Sequence, residues 1–492
     1  MAGVGYFGPP EGIDTKDYLF QMQGASIVSR PESLVGHSLT NPSVDLTDSL
    51  KVTQVELSRG RIRTITRTKR AAEARGYSYT IGFPSGALWT PAMAAALRPG
   101  CRKAFFLKYL CPTDTRYSHV HIYADGILSP PVEEGDIVTI DDTTMITHTS
   151  TLESPRKDTL FKLAYEKLFT ETNKELYAVA FTTAECPSCA DVPGLGLITL
   201  GGDGTAGASN LITDDRFTSV TRLTAGGTGN YGTSVFQDGS LVVSTYSDEP
   251  TVGSGTVGAL AISNNGWSSA PSAVSGITVP LYGVDRLNRT LIAVGGTGAG
   301  AAKVYYSLDD GATWTEYTGT LPAANAFTSI AADNEGYAAY IVGEGGELFK
   351  VTAPGRTITL VDIGANLPGS PGTLNVVKVL GENHIIVGGA SGYVAESVDG
   401  GTTWTSLAVA GGTAVYAIGG DRFRTIIAAG TAFYERSPLT DMQFVAGSLE
   451  SGQTISGVIR AINMGVDGDF NLISMVTDEG EVILGHSYLP NS

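Results

Sequence analysis

Cysteine is scarce. Four residues, Cys101, Cys111, Cys186 and Cys189, in a chain of 492 are too few for a disulfide scaffold, so stability must come from packed cores. No stretch reaches the 18 or more uninterrupted apolar residues of a membrane helix. The first twenty residues, MAGVGYFGPPEGIDTKDYLF, lack a basic start followed by an apolar core, which predicts no signal peptide and synthesis in the cytoplasm. Basic residues are scarce in one part only. Residues 1–170 hold 19 Lys+Arg and 18 Asp+Glu, a net +1, which leaves 13 and 31 of the totals 32 and 49, a net −18, for the remainder. Glycine divides the same way, with 13 of 62 in residues 1–175 and 49 beyond. Both counts predict a domain boundary near residue 175.

What the second part does have is a repeat. An apolar run recurs at Leu197, Leu241, Leu291, Ala338, Ile385, Thr425 and Asn471, at intervals of 44, 50, 47, 47, 40 and 46 residues. Short β-rich units at this period are what propeller blades require, because one twisted sheet cannot cover its own faces. Taking these runs as inner strands predicts a seven-bladed propeller over 176–492, with six blades as the alternative. Glu175–Thr183 is the expected partner of the final GEVILGHSY segment in closing the ring.

A second landmark is in phase with the first. Ser307, Asp309, Gly311 and Trp314 match Ser397, Asp399, Gly401 and Trp404 in one S-x-D-x-G-x-x-W pattern, 90 residues apart, and Ser263, Asn265, Gly266 and Trp267 form a degenerate copy. The pattern resembles the Asp-box, or BNR repeat, of sialidases, sortilin-type receptors and photosystem II assembly factors. That resemblance implies a structural role for these eight residues: Ser and Asp hold a tight turn between outer strands, Gly takes a positive φ, and Trp packs into the blade.

An enzyme of the sialidase type needs an arginine cluster, a tyrosine nucleophile and an F-R-I-P-type motif. Neither that motif nor a spread of inward-facing arginines on successive blades is visible here. Arg286, Arg289, Arg422, Arg424 and Arg460 are thinly spread, and Arg460 reads either as a channel-lining cation or as a salt-bridged one. No catalytic residues are assigned, and hydrolysis by a pair of carboxylates stays as a minor alternative. The glycines from Gly295 run into the strand KVYYS rather than a helix, so they predict a blade turn and not a phosphate loop.

The first part has no blade repeat. Residues 52–70 alternate, placing Arg59, Arg61, Arg63, Arg67 and Lys69 on one strand face as a candidate assembly interface, with nucleic acid as the other reading. GYSYTIGF from Gly76 is the expected hairpin partner. Thr90 and Pro91 open a short helix that Pro99-Gly100 stops. Strands follow at KAFFLKYL, HVHIYADGIL and DIVTIDDTTMITHTS, and DTLFKLAYEKLFTETNK predicts an amphipathic helix. The expected organisation is an extended arm over 1–45, a β-sandwich or barrel with one or two short helices over 46–175, and then the propeller.

This order of elements resembles the tail tube, or major tail, protein of long-tailed bacteriophages. The resemblance implies a virion structural protein whose partners are copies of itself in stacked hexameric rings and other tail proteins, with DNA passing through the lumen without sequence-specific binding. The propeller would then decorate the outside of the tail and contact a host surface glycan. Two readings from other classes stand beside it. One is a scaffold or assembly factor resembling photosystem II stability factors. The other is a glycan-binding or glycan-cleaving propeller, for which Tyr282, Tyr305, Tyr306 and Trp267 are candidates. No cofactor is expected, except that Cys186 and Cys189 in a CxxC, with Cys101 and Cys111, are candidate ligands of a structural zinc; a CxxC disulfide and reduced core cysteines are the alternatives.

Overall fold

The computed structural model describes the strands between residues 18 and 161, mainly as backbone. It also describes residues 162–487 apart from 173, 183–195, 204–207, 214–219, 226–230, 265–270, 299–301, 323–324, 334–337, 354–356, 382, 410, 441 and 466–470. The chain divides into two compact units, residues 1–162 with 488–492, and Leu163–Ser487. The second unit therefore begins 13 residues before the boundary expected from glycine and charge.

Among the described residues of the first unit, nine strands pair into one antiparallel sheet. Strands Arg75–Pro84, Lys103–Tyr109, His119–Leu128, Val132–Ile140 and Thr143–Ser154 fall where the alternating runs place them. Pairing of Leu128 with Leu152 brings the path back on itself, as a barrel requires. A second facing sheet, which a sandwich needs, is not among the described residues. Two further expectations change. The supposed extended arm supplies strands to this sheet at Tyr18–Gln23, His37–Ser38 and Ser43–Val44. The edges of Arg75–Pro84 are taken by Thr143–Ser154 on one side and by those short strands on the other. Arg59, Arg61, Arg63, Arg67, Lys69 and the helix expected from Thr90 lie outside the described residues.

In the second unit, seven four-stranded antiparallel sheets follow one another. Their first strands are Glu175–Thr182, Tyr231–Asp238, Leu281–Leu287, Phe327–Ala332, Leu374–Gly381, Val415–Gly420 and Ile459–Met464. Each contacts the next, and the last contacts the first, so these are the innermost strands of a closed propeller, blades 1 to 7. The apolar repeat seen in the sequence is the second strand of each blade, not the innermost. In blades 2 to 6 that strand is buried along its whole length, from Leu241–Ser247 to Thr425–Ala429. Both of its faces are covered, which is why it is continuously apolar.

The core is a set of seams between blades. Val294 and Val304 of blade 3 pack on Ile341 and Val351 of blade 4, Tyr340 and Val342 of blade 4 on Val377 and Val387 of blade 5, and the other seams repeat this arrangement. Approach is close enough that a Cβ on Gly419 of blade 6 would collide with Ile462 of blade 7.

Ring closure corrects two expectations at once. The segment expected as an amphipathic helix is two strands, Arg156–Phe161 and Leu163–Thr170. The second of these, not Glu175–Thr182, pairs with Glu481–Ser487 as the outer strand of blade 7, running from Leu163 opposite Ser487 to Thr170 opposite Glu481. Leu160, Leu163, Ala164 and Leu168 do share one helical face. The free edge of Glu481–Ser487 outweighs it, since an unpaired ladder would leave a row of N–H and C=O groups unsatisfied. Leu163 and Tyr165 then enter the seam with blade 6, and a bulge between Lys167 and Phe169 lets Leu168 and Phe169 reach the seam with blade 1.

Candidate binding site at the bulged end of the ring

All seven innermost strands carry a β-bulge at the same place, one or two residues after they begin. The bulged residues are Tyr177, Thr233, Tyr282, Thr328, Asn375, Tyr416 and Arg460. A bulge leaves one residue unpaired and re-aims its side chain. Seven equivalent bulges therefore give seven redirected side chains around one end of the ring.

Three of them lock blade to blade. Thr233 Oγ1 donates to Leu281 O at 2.6 Å, Thr328 Oγ1 to Leu374 O at 2.6 Å, and Asn375 Nδ2 to Val415 O at 3.0 Å. In each case the acceptor is the residue just before the next blade's bulge. Tyr282 turns back instead, its hydroxyl accepting from Ser247 Oγ at 3.2 Å and donating to Thr251 O at 3.4 Å. It lies under the long loop that leaves blade 2 at Ser247. Asp248 shapes that loop by accepting from Thr256 N, Thr256 Oγ1 and Val257 N, contacts that outweigh its burial and lower its pKa. The loop crosses to blade 3, where Gly298 N donates to Gly253 O at 2.8 Å, and reaches the carboxylate of Glu344 of blade 4, which a Cβ on Gly253 would displace.

The other three bulged residues are consecutive around the ring and make no such lock. The guanidinium of Arg460 in blade 7 lies 4.4 Å from the ring centroid of Tyr416 in blade 6 and 5.6 Å from that of Tyr177 in blade 1, both within cation–π range. Its Nε and Nη2 donate to Asp478 Oδ2 at 3.0 and 2.8 Å. Tyr177 meets Tyr231 of blade 2 edge to face at 6.0 Å and donates its hydroxyl to Glu175 at 2.5 Å. Burial, then the bond to Glu175, holds the Tyr177 hydroxyl far above its ordinary pKa. Burial also raises that of Tyr231, helped by the carboxylates of Glu175, Glu249 and Asp203. Arg460 is thus both salt-bridged and placed on an innermost strand.

The Asp-boxes stand at the opposite end of blades 3 and 5, between third and fourth strands. In the first copy Ser307 Oγ donates to Asp309 Oδ1 at 2.8 Å, Gly311 N to Ser307 Oγ at 2.8 Å, Thr313 N to Asp309 Oδ1 at 2.8 Å and Trp314 Nε1 to Gly311 O at 3.1 Å. Ser397, Asp399, Gly401, Thr403 and Trp404 repeat these bonds to within 0.1 Å. Thr313 and Ser307 lower the pKa of Asp309; at Asp399 the matching bonds outweigh burial and do the same. Gly311 has φ +91° and a Cβ there would come within 2.7 Å of Ile262. These carboxylates are spent inside their own turns.

The remaining candidates do not converge. Arg286 pairs with Asp238 and Asp310, Arg289 is exposed, Arg422 lies over Phe423, and Arg424 is fully buried with Glu435. Tyr305 and Tyr306 face different seams of blade 3, away from Tyr282. Trp267 and all four cysteines lie outside the described residues, and no metal-binding group of His, Cys, Asp or Glu occurs among the described ones.

Three features escape the sequence patterns. Blade 6 has a box of the same span, Ser437 to Phe444, in which Thr440 replaces the missing Asp by accepting from Ser437 N at 3.0 Å and donating to Gln443 O at 2.7 Å. Only the preserved seven-residue offset between Ser and an aromatic marks it. Between blades 5 and 6, buried Glu396 accepts Arg436 at 2.9 and 2.5 Å and meets His384 Nε2 at 2.6 Å. Between blades 6 and 7, Glu435 joins Tyr165 to Arg424.

Fold and turns together define an Asp-box β-propeller. Residues 293–479 match the family model described as photosynthesis system II assembly factor YCF48. The solved structure "YCF48 from Cyanidioschyzon merolae" is similar at 13% identity with TM-score 0.48, over 66% of this chain and 99% of that one. "YCF48 bound to D1 peptide" is similar at 14% identity with TM-score 0.46, over 65% and 96%. No curated protein matches the chain.

Proposed function

We propose that the propeller is a non-catalytic binding module that holds a segment of a partner protein, in the manner of an assembly or scaffold factor. The match of residues 293–479 to an assembly-factor family carries this reading. The geometry supports it: the carboxylates of Asp309, Asp399, Glu396 and Glu435 and the guanidiniums of Arg286, Arg424 and Arg436 are engaged in turns and blade seams, while the bulged end presents aromatic and polar side chains on innermost strands. The scaffold reading of the sequence is thereby preferred to the tail-tube one. The segment expected as an extended arm contributes strands to the sheet of its own unit.

The test is an array of extended fifteen-residue peptides of varied charge, probed with the purified full-length chain and followed by anisotropy titration. Saturable micromolar binding to a subset supports the module, a range ordinary for transient peptide recognition. Failure to bind any peptide, together with turnover of a sialoside, replaces it with an enzyme. Stacked hexameric rings of the full chain in negative-stain electron microscopy return the tail-tube assignment.

A further inference from the structure

The ring of bulges is chemically uneven. In blades 2, 4 and 5 the bulged side chain is small and spends its donor on the next blade's carbonyl, and in blade 3 it is tucked under the blade 2 loop. Blades 6, 7 and 1 put Tyr416, Arg460 and Tyr177 at the same position. Large amphipathic residues standing where the local rule asks for a short lock are a departure of the kind proteins make where they bind. The polar atoms there are also unspent. Among the described residues, the hydroxyls of Tyr416 and Tyr231 and the Nη1 of Arg460 have no hydrogen-bond partner, and all three side chains are part-exposed.

Among the described residues, the charge left uncompensated around the arc is negative. Asp478 neutralises Arg460 and Lys174 pairs with Asp203, which leaves Glu175, bonded among the described residues to the neutral hydroxyl of Tyr177, and exposed Glu249. Two tyrosine faces beside two uncompensated carboxylates favour a cation: the rings attract it through their quadrupoles and the carboxylates through charge. Arg460 is already held from two sides by tyrosines and from its edge by Asp478, so its remaining Nη1 suits a neutral carbonyl better than a competing carboxylate.

We infer that the arc Tyr416–Arg460–Tyr177–Tyr231 is the docking site for an extended basic segment of a partner protein, with a lysine or arginine seated between Tyr231, Glu175 and Glu249 and a backbone carbonyl on Arg460. The inference rests on the binding-module reading and names the partner's chemistry.

The test titrates the full-length chain with a fluorescent Gly/Ser dodecapeptide bearing three lysines, its acetyl-lysine counterpart and a three-glutamate version. The lysine peptide binds at least tenfold tighter than either and weakens as salt rises. Glu249→Gln and Tyr416→Leu each weaken it at least fivefold, whereas Asp310→Asn at the opposite end leaves it unchanged. Because Glu249 is exposed, its substitution reads binding without endangering the fold. Equal affinity for the acetylated peptide, preference for the glutamate peptide, or indifference to Glu249→Gln and Tyr416→Leu overturns the inference while leaving a binding module. Absence of binding by peptides of every charge overturns the binding-module reading itself.

Discussion

Tyr165 and Arg424 share the carboxylate of Glu435: the tyrosine hydroxyl donates to Oε2 at 2.8 Å and the guanidinium Nε to Oε1 at 2.9 Å. Tyr165 lies on the strand that closes the ring, and the other two lie on blade 6. Arg424 is fully buried, so Arg424→Ala, which strands a carboxylate, is expected to cost about 3–5 kcal/mol. Tyr165→Phe, which removes one hydrogen bond and keeps the ring packed on Phe433 at 4.7 Å, is expected to cost about 1 kcal/mol. Urea denaturation compares the two, and equal costs would remove the charge from the explanation.

The closing strand also sets where the propeller can be cut. A fragment spanning 163–487 is expected to unfold in one cooperative step. One spanning 176–487 lacks the partner of Glu481–Ser487 and is expected to aggregate or melt at least 10 °C lower, since it exposes a free edge. Matching melting curves for the two fragments would show that the outer strand of blade 7 is dispensable.

Glu396 gives the propeller an acid limit. Burial pushes its pKa up, but the bonds from His384 and Arg436 outweigh burial and bring it down to about 2, from 4.5. The folded state therefore binds this proton more weakly than the unfolded chain. Its stabilisation is complete above pH 4.5 and is lost as pH falls from there through about 2, amounting to about 3 kcal/mol. Glu396→Gln should be destabilised at pH 7 and should show a correspondingly flatter loss of stability between pH 4.5 and 2. Parallel pH profiles for variant and parent would assign the acid limit to other groups.

At the bulges, Thr328→Val keeps the shape of the side chain and deletes its donor, leaving Leu374 O unsatisfied from that side. The expected cost is about 1 kcal/mol, and the same holds for Thr233→Val at Leu281. The two sites are separated by blade 3, so the double variant should lose the sum. A neutral double variant would show that these bonds do not tie the blades.

Legibility in the sequence followed burial. Second strands such as Thr290–Gly296 are covered on both faces, so they appear as unbroken apolar runs at blade spacing, and the Asp-boxes repeat because their backbone turns fix residue type. The bulge ring left no such trace, since Tyr177, Thr233, Asn375 and Arg460 share a backbone position and not a chemistry. Leu163–Thr170 misled in the other direction: its apolar residues fit a helical stripe as well as a bulged strand, and only the distant edge at Glu481–Ser487 decides between them. The seam charges Glu396 and Arg436 are 40 residues apart and become neighbours only when blades 5 and 6 pack together.

The seven bulges have a consequence for how such a protein can change. Each supplies one residue whose backbone is set by its own blade, so the ring reads as a seven-letter word written on a fixed dial. A new partner can be addressed by respelling the letters of blades 6, 7 and 1, while those at Thr233, Thr328 and Asn375 go on tying neighbouring blades together.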